Sequence, residues 1–273
     1  MNLLLSSAIV VGSTAIAVGL LLLVRRRSPH GGHFEDTGRA AGVFSILATS
    51  FAVLFAFVVF FAFGTYDHAS HSAEVEAEVA LQQFETAQML PPTVGPRLSS
   101  QLRCYARSVV HQEWPAMADG QILGLNEWDT DLFVTIKDVE PTSPSEQAAY
   151  AKWLEQRSAR EAARQARVLT DEGVIPSPLW FVLLISGGIV WAFVFLFADR
   201  GEGAFVQSVL IAAVTTMLVS GLLLVRFLDQ PYNPGSGSLK PVAMEQALTQ
   251  MDELITTLHL DVPPLCDADG RAT

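Results

Sequence analysis

The chain has 273 residues, half of them hydrophobic and only 16% charged, with a net charge of −11 and a mean hydropathy of +0.34. So large an apolar fraction excludes intrinsic disorder. A pI near 4.9 argues against nucleic-acid binding through a basic face, and two cysteines are too few for a disulfide scaffold or a zinc ribbon.

The apolar residues fall in blocks. Four uncharged stretches approach or exceed the roughly 20 residues a span needs: Leu3 to Val24, Ala40 to Gly64, Leu179 to Ala198 and Ala204 to Val225. Lipid offers no partner to backbone N–H and C=O groups, so each is read as a helix that bonds internally. The first stretch is preceded by Met1-Asn2 and followed by Arg25-Arg26-Arg27. A secretion signal carries its positive charge before the apolar run, so this order reads as a retained anchor.

Charge by segment orients the spans. Residues 1–64 carry +2, 65–178 carry −8, 179–226 carry 0 and 227–273 carry −5. The short loop with Arg25, Arg26, Arg27 and Arg39 reads as cytoplasmic. The N-terminus, the 65–178 insert and the C-terminal tail then lie outside the inner membrane. Arg157, Arg160, Arg164 and Arg167, close before the third span, pull the other way.

Helical spacing continues past the second span through Tyr66, Ala73, Ala77, Leu81 and Phe84, predicting one long helix up to Pro91-Pro92. Gly95-Pro96 opens another, with Leu102, Tyr105, Val109 and Val110 on its apolar face and Pro115 as its stop. Residues 120–141 show no clean period and read as a loop with buried aromatics, Trp128 and Phe133. Ser143-Pro144-Ser145-Glu146 is a capping box. It opens a helix through Ala149, Trp153 and Ala162 to about Thr170, broken by Gly173 and Pro176. A last helix starts at Pro241 and runs through Ala243, Ala247, Met251, Leu254 and Leu258.

Two charged stripes stand out. Asp67, His71, Glu74, Glu78 and Glu85 share one side of the long second helix, and Arg157, Arg160, Arg164 and Arg167 one side of the helix before the third span. Folded antiparallel, Glu78 would meet Arg167, and Glu85 would meet Arg160, as a salt-bridged hairpin. Left unpaired, the acidic stripe is a vestibule that concentrates cations.

Other motifs are weaker. His68, His71 and Glu74, or His30, His33, Glu35 and Asp36, have ligand-like spacing but read as solvated surface, so no metal or other cofactor is expected. No phosphate loop, nucleophile elbow or HExxH pattern occurs, and no catalytic residue is assigned. Cys104 and Cys266 are either a disulfide or two free thiols. Small residues form stripes at Ala48, Ala52 and Ala56, at Ser208, Ala212, Thr216 and Ser220, and in the pairs Ala8–Gly12 and Ala15–Gly19. Such stripes read as close helix packing; Thr215, Thr216 and Ser220 could instead line a pore. The Phe-rich second span, with Phe57 and Phe61, could gate by dewetting. No ionisable residue lies within a span, which argues against active transport.

Several segments resemble the bestrophin-like family of bacterial membrane proteins. They are the run Phe51 to Phe60, Tyr66-Asp-His-Ala, Glu76-Ala-Glu-Val-Ala-Leu, Leu102 to Val110, Glu113-Trp114-Pro115, Pro178-Leu-Trp, and Leu228-Asp229-Gln-Pro231-Tyr232. The likeness covers about Gly38 to Leu248. It implies a distant relation to anion channels that assemble as rings and carry a large insert between spans two and three. The implied insert is cytosolic, whereas the arginines here place it outside, and its acidity suits cations. Glu113 could pair beside Pro115, and Asp229 with Arg226 one turn earlier.

The expectation is thus an all-α polytopic membrane protein. It has four transmembrane helices, a helical soluble annex between spans two and three, and an acidic tail. Its partners are the lipid bilayer, further copies of the chain, and ions. The function expected is an oligomeric ion channel with Phe57 and Phe61 in the pore and Asp67, Glu74 and Glu78 at its vestibule. The alternative is a non-conducting, membrane-anchored interaction or sensor module.

Overall fold

A computed structural model describes residues 3–29, 33–121, 123–170 and 175–273. His30 and Gly173 lie outside them. The described residues are built from helices, with one isolated antiparallel bridge between Cys266 and Ala272. The helices are α1 (Leu3–Arg27), α2 (Thr37–Ala87), α3 (Gly95–Ser108), α4 (Trp114–Ala118), α5 (Glu127–Ile136), α6 (Pro144–Leu169), α7 (Ser177–Leu196), α8 (Ala204–Asp229) and α9 (Val242–Thr257). A π-helical turn, Val109–Glu113, joins α3 to α4.

Four of these, α1, α2, α7 and α8, are long and apolar enough to cross a membrane. Their apolar side chains are largely uncovered by the chain itself, as lipid-facing surfaces are. The protein is an all-α polytopic membrane protein whose fold divides into two compact units. The first comprises residues 1–66, 173–230 and 234–236; the second comprises 67–172, 231–233 and 237–273. Helix α2 is continuous through Ala87 and contributes to both.

In the first unit, Phe51, Val58, Leu183, Val190 and Val225 form one buried cluster, and Ala17, Leu21, Ala198 and Ile211 another. Two glycines of this unit lie close against aromatic rings. A Cβ on Gly221 would lie 2.6 Å from Cζ of Phe55, and one on Gly187 would lie 3.4 Å from Cε2 of Phe51. Of the expected small-residue stripes, Gly12 and Gly19 of α1 and Ala52 and Ala56 of α2 are exposed, whereas on α8 Ser208 and Ala212 are half-buried and Thr216 meets α1. Thr215 is buried, Thr216 and Ser220 are exposed, and all three hydrogen-bond within the bundle. Trp191 Nε1 donates to Thr215 Oγ1 (3.0 Å), Thr216 shares a hydrogen bond with Thr14 (3.1 Å), and Ser220 donates to the Thr216 carbonyl.

In the second unit the core runs through Phe84, Leu98, Leu102, Tyr105, Trp128, Leu132, Trp153 and Met251. Two expectations are corrected here. Pro115 does not stop its helix. The Trp114 amide donates to the Val109 carbonyl, five residues back, and this π turn accommodates the proline, which has no N–H to give, at the start of α4. Residues 127–136 are a helix rather than loop. Asn126 Oδ1 caps it by accepting from the Trp128 amide (3.0 Å), and Trp128, Leu132 and Ile136 at i, i+4, i+8 form its buried stripe. Phe133 is on its exposed side. On α6 the capping box of Ser143 and Glu146 is formed, and the helix runs through Ala149, Trp153 and Ala162 as expected, with Ala149, Trp153 and Ala163 buried.

Candidate functional site

The long helix α2 carries two sets of carboxylates with opposite fates. Asp67, Glu74, Glu78 and Glu85 are exposed. Glu76 is fully buried. It lies at the three-and-four spacing of Ala69, Ala73, Ala80, Phe84 and Ala87, the apolar stripe that packs into the core. On α6 the residues Ala149, Trp153, Gln156, Arg160, Ala163, Arg167 and Thr170 repeat at spacings of four and three, and all are buried. The same periodicity that makes the helices amphipathic thus carries Glu76, Arg160 and Arg167 inward.

Arg167 is the centre of the resulting network. Its Nε donates to Glu76 Oε2 at 2.5 Å, and its Nη2 donates to Glu76 Oε1 at 3.0 Å and to Glu113 Oε2 at 2.6 Å. Its guanidinium lies 5.2 Å from the centre of the Trp114 ring. Arg164 donates to Glu113 Oε1 at 2.7 Å. Asn126 Nδ2 donates to the same oxygen at 2.8 Å and to Ser108 Oγ at 3.2 Å. Tyr105 donates its hydroxyl to Glu76 Oε1 at 2.6 Å. Two turns earlier on α6, Arg160 pairs with Asp129 and stacks over the Tyr105 ring at 4.5 Å.

The electrostatics follow from burial and neighbours. Burial alone would push the Glu113 carboxyl up, but Arg167 and Arg164 outweigh it and hold it below the usual carboxylate range. Burial would lower the Arg167 guanidinium, yet Glu76 and Glu113 keep it firmly charged. Burial and the Glu76 charge raise the Tyr105 phenol well above 10, so it stays a donor. Two guanidinium groups face two carboxylates, so this arrangement is a neutral clamp joining α2, the π turn and α6. The expected pairs Glu78–Arg167 and Glu85–Arg160 are absent from the described ion pairs. Arginines at buried positions of α6 meet the inward Glu76, Glu113 and Asp129 instead.

The family-motif positions divide between the units. Glu113 and Trp114 border Arg167, and Pro115 follows in α4. Tyr232 packs edge-on against Trp114 at 5.6 Å and donates to the Arg167 carbonyl at 3.3 Å; Pro231 accepts at its carbonyl from the Leu239 amide (2.9 Å). Asp229, at the end of α8, accepts from the Ile175 amide (2.9 Å) and from Trp180 Nε1 (3.2 Å), rather than serving Arg226 as expected. It thereby ties the end of α8 to the start of α7.

Phe57 and Phe61 are 60% and 67% exposed on α2. No ion pair among the described residues reaches Asp67, Glu74 or Glu78; Glu78 accepts only from Gln82 Nε2 (3.0 Å) among the described hydrogen bonds. His68 and His71 are likewise exposed, and no group of three metal-ligating side chains gathers among the described residues. Cys104 of α3 and Cys266 of the tail form a disulfide, which settles the alternative between a bridge and two thiols.

Sequence reasoning named Glu76 only within a family-like run and missed the inward role of Glu76, Arg160 and Arg167, although their place in the three-and-four repeats of Ala69, Ala73, Ala80 and Phe84 and of Ala149, Trp153 and Ala163 was a readable signal. No protein of curated function matches the chain. Solved structures do. A bacterial bestrophin homologue from Klebsiella pneumoniae, phased by zinc anomalous scattering, is 14% identical, with a TM-score of 0.67 over 92% of this chain and 99% of that one. A single-substitution variant of a Klebsiella pneumoniae bestrophin homologue gives a TM-score of 0.70 at 13% identity, over 89% and 99%. At this identity the likeness shows the fold. The family model for the bestrophin-like domain matches residues 11–244, most of the sequence, and the chain belongs to the bestrophin-like family.

Proposed function

We propose that the protein is an oligomeric ion channel of the inner membrane. In this reading α2 lines a pore between copies, Phe57 and Phe61 form an apolar constriction, and Asp67, Glu74 and Glu78 form an acidic vestibule. The observation that carries it is the separation of the carboxylates of α2. Glu76 is buried and neutralised by Arg167, while the arginines expected to neutralise the outer stripe are engaged elsewhere. The stripe remains a solvent-facing row of negative charge on the helix that carries Phe57 and Phe61. Its sign suits cations.

The insert and the tail lie on the outer side in this reading. The arginine loop between α1 and α2 supports that orientation, and so does the Cys104–Cys266 bridge, since disulfides persist in oxidising compartments.

Purified protein in sealed liposomes should pass monovalent cations. Glu74→Gln with Glu78→Gln should shift the cation-to-anion permeability ratio towards anions. A mass measurement in detergent should find a ring of copies. Liposomes that stay tight to ions, with a monomer in detergent, would instead support the non-conducting interaction module.

A further inference from the structure

Two cavities in the membrane-spanning unit lie along one face of α8. The first, of about 420 Å³, is lined by Gln207 with His33, Phe34, Asp199, Glu202 and Ile211. The second, of about 330 Å³, is almost wholly apolar and is lined by Thr215, Leu218 and Leu222 of α8 together with Gly188 and Trp191 of α7 and Ile16 of α1. Gln207, Ile211, Thr215, Leu218 and Leu222 follow one another at spacings of four, four, three and four, so one helical stripe borders both. From Gln207 to Leu222 the rise is about 22 Å at 1.5 Å per residue, the depth of one bilayer leaflet with its headgroup layer.

The polar end is built to accept hydrogen bonds. Arg25 donates to the carbonyls of Asp199 (3.1 Å), Arg200 (3.2 Å) and Glu202, so its charge fixes the loop between α7 and α8. Gln207 donates its Nε2 to the Asp199 carbonyl (3.1 Å) and to Glu202 Oε2 (3.2 Å). That fixes the amide, and its Oε1 has no partner among the described residues although the side chain is 94% buried. A buried acceptor without a donor is costly. Glu202 and His33 line the same cavity as Gln207. A headgroup bearing N–H donors and positive charge satisfies this end, while the exposed Arg26 and Arg27 in the last turn of α1 complement a phosphate. At the apolar end a Cβ on Gly188 would meet nothing within 4 Å, so the glycine leaves open space beside Trp191.

We propose that this face of α1, α7 and α8 binds a phospholipid whose headgroup carries a primary ammonium. The ammonium donates to Gln207 Oε1 beside Glu202, and one acyl chain lies along the apolar cavity past Gly188. The site selects by donor as well as by charge. A quaternary ammonium has no N–H for Gln207, and a glycerol headgroup brings a net negative charge towards Glu202.

The test is native mass spectrometry of the full chain in detergent, offered equal amounts of phosphatidylethanolamine, phosphatidylcholine and phosphatidylglycerol with identical acyl chains. The wild type should retain the ethanolamine lipid about tenfold over the other two, the effect of one buried charge-assisted hydrogen bond. Gln207→Leu should erase that preference, and Gly188→Leu should lower retention of all three. Glu202→Gln gives a second route to the polar end should Gln207→Leu lose its helical circular dichroism. Equal retention of the three lipids by the wild type, or a preference that survives in both polar-end variants, would overturn the proposal.

Discussion

Arg167 and Glu76 stand ninety-one residues apart and meet through two hydrogen bonds of 2.5 and 3.0 Å, both side chains closed to solvent. A buried ion pair contributes little over a well-packed apolar pair, but losing one partner strands the other charge. Arg167→Met should therefore destabilise the second unit by about 3–5 kcal/mol. The double variant Glu76→Gln, Arg167→Met should recover most of that loss, because no charge is left uncompensated. Thermal unfolding in detergent, followed by tryptophan fluorescence, compares the two. A double variant as unstable as the single would show that the pair acts through packing and not charge.

The same network sets a dependence on pH. Arg167 and Arg164 overcome the effect of burial and hold Glu113 below its ordinary value of 4.5. A depressed carboxyl stabilises the fold above its unfolded value, and that contribution is lost as pH falls through the folded one. Stability should hold steady from pH 7 to about 5 and then fall as the medium is taken below 4.5. Glu113→Gln should be less stable at pH 7 and lose part of this acid slope. Melting curves at pH 7, 5 and 4 read both effects.

Much of this was legible in the residues, for physical reasons that differ by element. The spans are visible because lipid tolerates no charge, so four uncharged stretches announce themselves. The start of α6 is visible because the capping box is a local device of four residues. Helix α5 was hidden because ten residues with one amphipathic stripe give too few repeats to rise above loop composition. The π turn was hidden because nothing in Val109 to Glu113 marks an extra backbone residue; only Pro115, read as a stop, hinted at it. The partners of the α6 arginines were mistaken because a flat antiparallel pairing of two stripes ignores which face turns inward. Ala149, Trp153 and Ala163 fix that face, and Arg160 and Arg167 share it.

Packing in the spanning unit gives a sharper test. A methyl group on Gly221 would overlap the Phe55 ring, whereas one on Gly12 would meet nothing within 4 Å. Gly221→Ala should cost about 1–3 kcal/mol by overpacking, and Phe55→Leu should relieve much of it. Gly12→Ala, equally helical and small, should leave the melting temperature within the scatter of a surface change. Equal effects at the two glycines would mean that the contact of α2 with α8 does not depend on this close approach.

The tail offers the last test. Beyond the disulfide it is held by hydrogen bonds from Trp128 Nε1 to the Gly270 carbonyl (2.7 Å), from Arg107 to the Asp267 carbonyl (3.0 Å) and from Gln112 to the Asp269 carbonyl (2.8 Å). Gly270 has φ +80°, and a Cβ there would lie 2.4 Å from the Ser108 amide nitrogen, so only glycine lets the tail lie this close on α3. The bridge closes a loop with a sequence separation of 162, and removing a native disulfide costs about 2–5 kcal/mol. Cys266→Ser should therefore leave the tail docked at rest but open to protease, with cleavage after Thr257 appearing at concentrations that spare the wild type. Reduction of the wild type should reproduce that pattern. Gly270→Val should go further and free the tail even with the bridge intact, because it removes the close approach that the carbonyl of Gly270 needs to reach Trp128. Protease resistance unchanged in Cys266→Ser would assign the docking to these hydrogen bonds alone.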